Sequence, residues 1–182
     1  AKEAALALLD RLQGRTLAGD ATKAERAEKI RAEKAAWEQE LDAWMHETDP
    51  YSLDMIREQQ GETPFSGGQY LHPRQALREL ERALPPDVMV STDIGNINSV
   101  AHSYLRFERP RSFFAPMSFG NCGYAFPTII GAKVAAPHRP AVAYVGDGAW
   151  GMSFGEILTC VRHDIPVTPV VFHNRQWGAE KK

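Results

Sequence analysis

The sequence predicts an α/β fold, an open parallel sheet with helices on both faces, preceded by a helical arm. Two observations carry this expectation. From residue 72 onward, apolar runs alternate four times with segments of helical length and spacing. The runs themselves, DVMVSTD, RSFFAPM, PAVAYV and PVTPVVFH, are nearly all apolar, as strands covered on both faces must be.

The elements follow in order. Residues 1–13 show a short apolar-rich helical pattern, read with the break QGRTLAGDAT as the end (1–20) of a domain otherwise missing. In KAERAEKIRAEKAAWEQELDAWM, Ala27, Ile30, Trp37, Leu41 and Trp44 recur at helical spacing, and Glu25 and Lys29 sit four apart. This predicts a surface helix packing one stripe, the start of a helical linker over 21–71. Its later part, 48–71, mixes Pro, Gly and polar residues and holds at most a turn or two of helix. The α/β domain spans 72–182 and is incomplete at its C-terminus. It opens with the amphipathic PRQALRELERAL, stopped by Pro85 and Pro86. GNINSVAHSYLRF, TIIGAKVAA and MSFGEILTCVRH are its further helices, with the glycine turn SFGNCGYAFP before the second of these. The chain lacks an initiator Met, starts as a helix without a capping residue and stops just past an apolar strand, so an internal piece of a longer protein is expected.

Bulk properties narrow the function. A formal net charge of -2 gives no electrostatic footing for nucleic acid or a membrane surface. No apolar run approaches the roughly 20 residues of a spanning helix. Cys122 and Cys160 are too few for a disulfide framework and read as reduced thiols of a cytoplasmic protein.

The chemistry concentrates at AYVGDGAW. In open parallel sheets, ligands bind outside the carboxyl ends of strands. Asp147 follows one strand and Asn174 ends the next, 174 − 147 = 27 residues later, which suits one turn, one crossover helix and one returning strand. Paired side by side, such strands lie about 5 Å apart. A carboxylate and an amide oxygen then converge on one point, a hard-oxygen site for magnesium or calcium. Gly146 is expected to let the backbone turn, and Gly148 to let a ligand approach the main chain. The amides of Gly148 and Ala149 start a helix running to His163, where a phosphate is favoured. Gly95 and Asn96 open a second helix in the same way. Two such helix starts beside a cation site point to a diphosphate bound through magnesium.

A GDG at a strand end, with Asn closing the next strand, is the thiamine-diphosphate motif, and residues 72–182 resemble the diphosphate-binding domain of thiamine-diphosphate-dependent enzymes of the acetohydroxyacid synthase and pyruvate decarboxylase type. SFGNCGYAFPTIIGAKVAAP, GDGAWGMSFGEILTCVRHDIPV and VVFHNRQWGAEKK look closer still to the sulfoacetaldehyde acetyltransferases. The resemblance implies thiamine diphosphate and Mg2+ as cofactors. It implies Asp147, Asn174 and the main-chain oxygen of Gln176 as metal ligands, with Gly148, Ala149, Gly95, Asn96 and the backbone at Ile97 around the diphosphate. The Gly120 carbonyl would accept from the pyrimidine amino group, and Cys122 would wedge between the rings where related enzymes carry Met or another large apolar residue. The implied reaction turns sulfoacetaldehyde and phosphate into acetyl phosphate and sulfite. The implied activating Glu lies in an N-terminal domain absent here and is supplied by a partner subunit, so a homo-oligomer, at least a dimer, is expected and this piece alone should be inactive. Alternatives are a thiamine-dependent 2-oxo acid decarboxylase or carboligase and a non-catalytic module of the same fold.

Arg175 is the best-placed candidate for a sulfonate, with Trp177 beside it. His163 reads as a helix-end cation, and His173 as pocket wall or simple strand residue. His102 carries no assigned role. Trp37, Trp44, Phe113 and Phe114 read as core or interface.

Overall fold

The computed structural model describes residues 2–16, 18–44, 73–174 and 177–180. The linker expected over 48–71 lies outside them. Chain contacts divide the molecule after Ala43 into two units. The first holds α1 (Lys2–Leu12) and nearly all of α2 (Asp20–Trp44). Of the stripe foreseen on α2, Leu41 is buried, whereas Ile30 and Trp37 are exposed. Its surface carries ion pairs one turn apart, Lys23 with Asp20, Arg31 with Glu28, and Lys29 with Glu33. Exposed pairs of this kind contribute only a few tenths of a kcal/mol each, ~0.3–0.5. No helix among the described residues is long and apolar enough to cross a membrane.

The second unit starts with α3 (Pro73–Ala83), whose Pro at the first helical position needs no intrahelical N–H partner. Then come β1 (Met89–Thr92), α4 (Asn96–Tyr104), β2 (Phe113–Phe114), α5 (Ala125–Ala135) and β3 (Ala141–Gly146). After β3 follow α6 (Asp147–Ser153), a 3-10 turn at Phe154–Glu156, α7 (Ile157–His163), β4 (Thr168–Phe172) and a 3-10 turn at Gly178–Glu180. The described strands form one sheet in the order β2-β1-β3-β4, and every pairing is parallel. The fold class read from the sequence is therefore the one observed.

Side-chain alternation along β1 and β3 sorts the helices onto two faces. Met89, Ala141, Ala143 and Val145 pack with Ala125, Phe126, Ile129 and Ile130 of α5 in one core cluster. Ser91, two residues beyond Met89, donates to the Ala125 carbonyl on that same side (2.6 Å). The intervening Thr92 turns the other way and accepts from Asn98 Nδ2 of α4 (2.7 Å). Hence α5 covers one face and α4 the other. Each fully buried Ile or Phe in this core contributes about 1.5–3 kcal/mol.

Three boundaries differ from the sequence reading, each for a local reason. RSFFAPM supplies only the two residues of β2, an edge strand; Pro116 offers no amide to extend the ladder. Helix α5 starts three residues before TIIGAKVAA and includes Pro127 in its first turn, where the missing N–H costs nothing. The helix foreseen from Gly148 to His163 is interrupted at Phe154–Glu156, next to Gly155.

The edge opposite the strand carboxyl ends is fastened by Arg139. Its guanidinium donates to the carbonyls of Asp87 (2.8 Å), Val88 (3.3 Å) and Arg111 (3.2 Å) and to Ser112 Oγ (2.6 Å). It thereby holds the starts of β1 and β2 next to that of β3.

Candidate functional site

Since β2 lies on one side of β1 and β3 on the other, the connections leaving β1 and β3 diverge. In sheets of this topology ligands bind where the connections part, at the carboxyl ends of these two strands. One wall is the turn after β1. Gly95 there has φ 109° and ψ -165°, a conformation that side-chain-bearing residues avoid. Its carbonyl accepts from the Asn98 amide (3.0 Å). Asn96 and Ile97 occupy the first turn of α4, where backbone amides lack intrahelical acceptors. The Asn96 side chain is exposed and that of Ile97 buried.

The other wall is the end of β3. Gly146 is still extended (φ -77°, ψ 158°) and pairs with Phe172, so it does not make the turn expected of it. Gly148 matters for space. A Cβ on it would stand 3.0–3.3 Å from the Trp177 indole, a close neighbour that the sequence did not reveal. One register step beyond Gly146↔Phe172 sets Asp147 opposite His173, with Asn174 next along the chain. Asp147 and Asn174 thus follow the ends of adjacent, paired strands. The Tyr144 and Phe172 rings, edge to face at 5.8 Å, pin the two strands just before these residues. Asp147 Oδ1 accepts from the Gly148 amide (2.9 Å), and Oδ2 lies 2.6 Å from His173 Nδ1. Ala149 is buried in α6, which is anchored by Trp150 edge-on to Phe126 (4.9 Å). Gln176 and Arg175 lie outside the described residues.

The GNCG turn forms the third part of this edge. Gly120 and Gly123 both have positive φ (74° and 77°), and the Gly120 amide donates to the Pro116 carbonyl (2.7 Å). Cys122 is half-buried and forms no disulfide. Cys160 packs against the core cluster, and burial followed by the Glu156 charge pushes its thiol up, away from thiolate chemistry.

One residue of this edge was overlooked in the sequence. Asp93, directly after β1, is completely buried, and its carboxylate accepts from the Tyr124 (3.3 Å) and Ala125 (3.0 Å) amides at the start of α5. Burial pushes its carboxyl up, while hydrogen bonds from the Ala125, Tyr124, Gly123 and Ile94 amides pull it partly back. It ties the GNCG turn to the β1 wall. The available signal was an Asp ending an apolar run immediately before the Gly95 turn.

Residues 93–182 match the family described as thiamine pyrophosphate enzyme, C-terminal TPP binding domain. The matched TPP-binding domain contains each turn described above, from Asp93 through GNCG and GDG to the end of β4. Over all 182 residues the chain is 75% identical to a sulfoacetaldehyde acetyltransferase of Castellaniella defragrans and to another of Alcaligenes xylosoxydans xylosoxydans. The chain spans only 30% of the length of each of these relatives. A thiamine diphosphate-dependent 4-hydroxybenzoylformate decarboxylase of Rhodococcus jostii shares the fold, with a TM-score of 0.57 at 24% identity. That match covers 65% of this chain and 22% of the decarboxylase.

The donor chemistry of the TPP-binding domain can be tested against a metal-bound diphosphate. Among the described residues, no three His, Cys, Asp or Glu side chains form a metal cluster. A cation placed at Asp147 would need amide, carbonyl or phosphate oxygens to complete its ligand set from these residues. This suits Mg2+, which is commonly held by one or two carboxylates plus phosphate oxygens.

Proposed function

We propose that the full-length protein converts sulfoacetaldehyde and phosphate into acetyl phosphate and sulfite, using thiamine diphosphate and Mg2+. The observation that carries this reading is the 75% identity, over the whole chain, to two sulfoacetaldehyde acetyltransferases. The overall reaction balances without an oxidant. The carbon–sulfur bond breaks, releasing sulfite, and the aldehyde carbon ends as an acyl group bonded to a phosphate oxygen.

Bound thiamine diphosphate supplies the nucleophilic carbon and the electron sink for this chemistry. The chain's own residues bind and orient. Asp147, Asn174 and the main-chain oxygen of Gln176 hold Mg2+, while Gly148 and Ala149 with Gly95, Asn96 and Ile97 receive the diphosphate. The Gly120 carbonyl would accept from the pyrimidine amino group, and the Cys122 side chain would wedge between the cofactor's rings. Arg175 meets the sulfonate. Supporting this assignment, Gly95, GNCG, Asp147 and Asn174 all follow strands that run in the same direction, so they gather on one edge. The activating Glu belongs to an N-terminal domain of a partner subunit, which makes the working form at least a cytoplasmic homodimer. Residues 1–20 then close the preceding domain, and 21–71 link it to the TPP-binding domain.

The full-length protein is expected to release sulfite from sulfoacetaldehyde only when phosphate is present, with acetyl phosphate formed in equal amount. Release of carbon dioxide from pyruvate without any desulfonation overturns the reading in favour of a 2-oxo acid decarboxylase.

A further inference from the structure

We propose that His173 is a positioning residue for the metal site, holding the Asp147 carboxylate in the orientation that presents it to the cation. This inference rests on the assignment of Asp147 as a metal ligand and adds to it a residue with no role in that assignment. His173 Nδ1 lies 2.6 Å from Asp147 Oδ2, while Oδ1 of the same carboxylate accepts from the Gly148 amide (2.9 Å). An ionised carboxylate can only accept, so the shared proton resides on Nδ1. Two donors on different oxygens fix the plane of the carboxylate, since rotation about its terminal bond breaks both contacts.

The placement of His173 comes from the sheet. Pairing of Gly146 with Phe172 sets His173 directly across from Asp147. The imidazole side chain is 60% exposed against 22% for Asp147, so it serves no core packing. An outer ligand partner of this type typically governs metal affinity by ~10–100-fold.

The test uses the full-length protein with thiamine diphosphate, and Mn2+ as a paramagnetic stand-in whose free concentration is read by electron spin resonance. His173→Ala is expected to weaken Mn2+ binding about 10-fold or more, with the thermal midpoint of the metal-free protein unchanged. His173→Asn, whose Nδ2 reproduces the position of Nδ1, is expected to restore affinity to within about 3-fold of the parent. Equal or tighter Mn2+ binding by His173→Ala overturns the proposal, and so does a His173→Asn variant as weak as His173→Ala. Asp147→Ala, measured alongside, separates the two levels. If it loses Mn2+ while His173→Ala does not, the positioning role alone falls. If it also binds like the parent, the metal-site assignment falls with it.

Discussion

Asp147→Ala removes magnesium-dependent binding of thiamine diphosphate from the full-length protein, which otherwise stays folded. The carboxylate is the one charged ligand assigned to the cation, and it sits at a strand end where its loss leaves no buried charge behind. The neighbouring amide of Asn174 cannot compensate, because a neutral oxygen does little for a divalent ion close to the negative diphosphate. Losing a direct ligand costs more than losing an outer partner, so a drop on the order of 100-fold or greater is expected. Calorimetric titration with thiamine diphosphate, with Mg2+ and then with a chelator, measures it. Parent-like affinity in the variant removes Asp147 from the site.

Replacing Asp93 acts through the architecture of the site. Its carboxylate is completely buried and accepts from the Tyr124 and Ala125 amides, so Asp93→Ala leaves two backbone donors without their acceptor at the start of α5. Loss of a helix cap with its hydrogen bonds costs about 2 kcal/mol, read as a lower midpoint in denaturant unfolding. Cofactor affinity should fall as well, because the GNCG turn loses its tie to β1. The pH dependence has a definite sign. Burial raises the Asp93 carboxyl above its ordinary 3.8, so the folded state holds this proton more tightly than the unfolded chain does. Its contribution is therefore most favourable below 3.8 and declines as pH rises through the raised value. Asp93→Asn should flatten that part of the stability profile. A parent-like profile in Asp93→Asn contradicts the assignment.

The strands were legible because burial on both faces forces an apolar run, and four such runs stand out from their Gly- and Pro-marked surroundings. The adjacency of Asp147 and Asn174 was legible for a related reason. The 26 residues between them hold one crossover and little else. Strand order was less accessible, since nothing local in RSFFAPM states that β2 lies on the far side of β1. Gly146 was misread because the string GDG looks the same whether its first glycine turns or stays in the strand, and here it stays. The partner of Gly148 was hidden for a tertiary reason. It is an indole 29 residues further along the chain, 177 − 148. Asp93 and His173 share that difficulty, as each acts on a group that only the sheet brings near: the start of α5 for one, Asp147 for the other.

The most direct test of the account is a crystal structure of the full-length protein with thiamine diphosphate and Mg2+. The account predicts Asp147 and Asn174 side-chain oxygens both about 2.1 Å from the metal, with the diphosphate between the Gly95 turn and the start of α6. A cation held by neither side chain, or a diphosphate bound away from the carboxyl ends of β1 and β3, contradicts it.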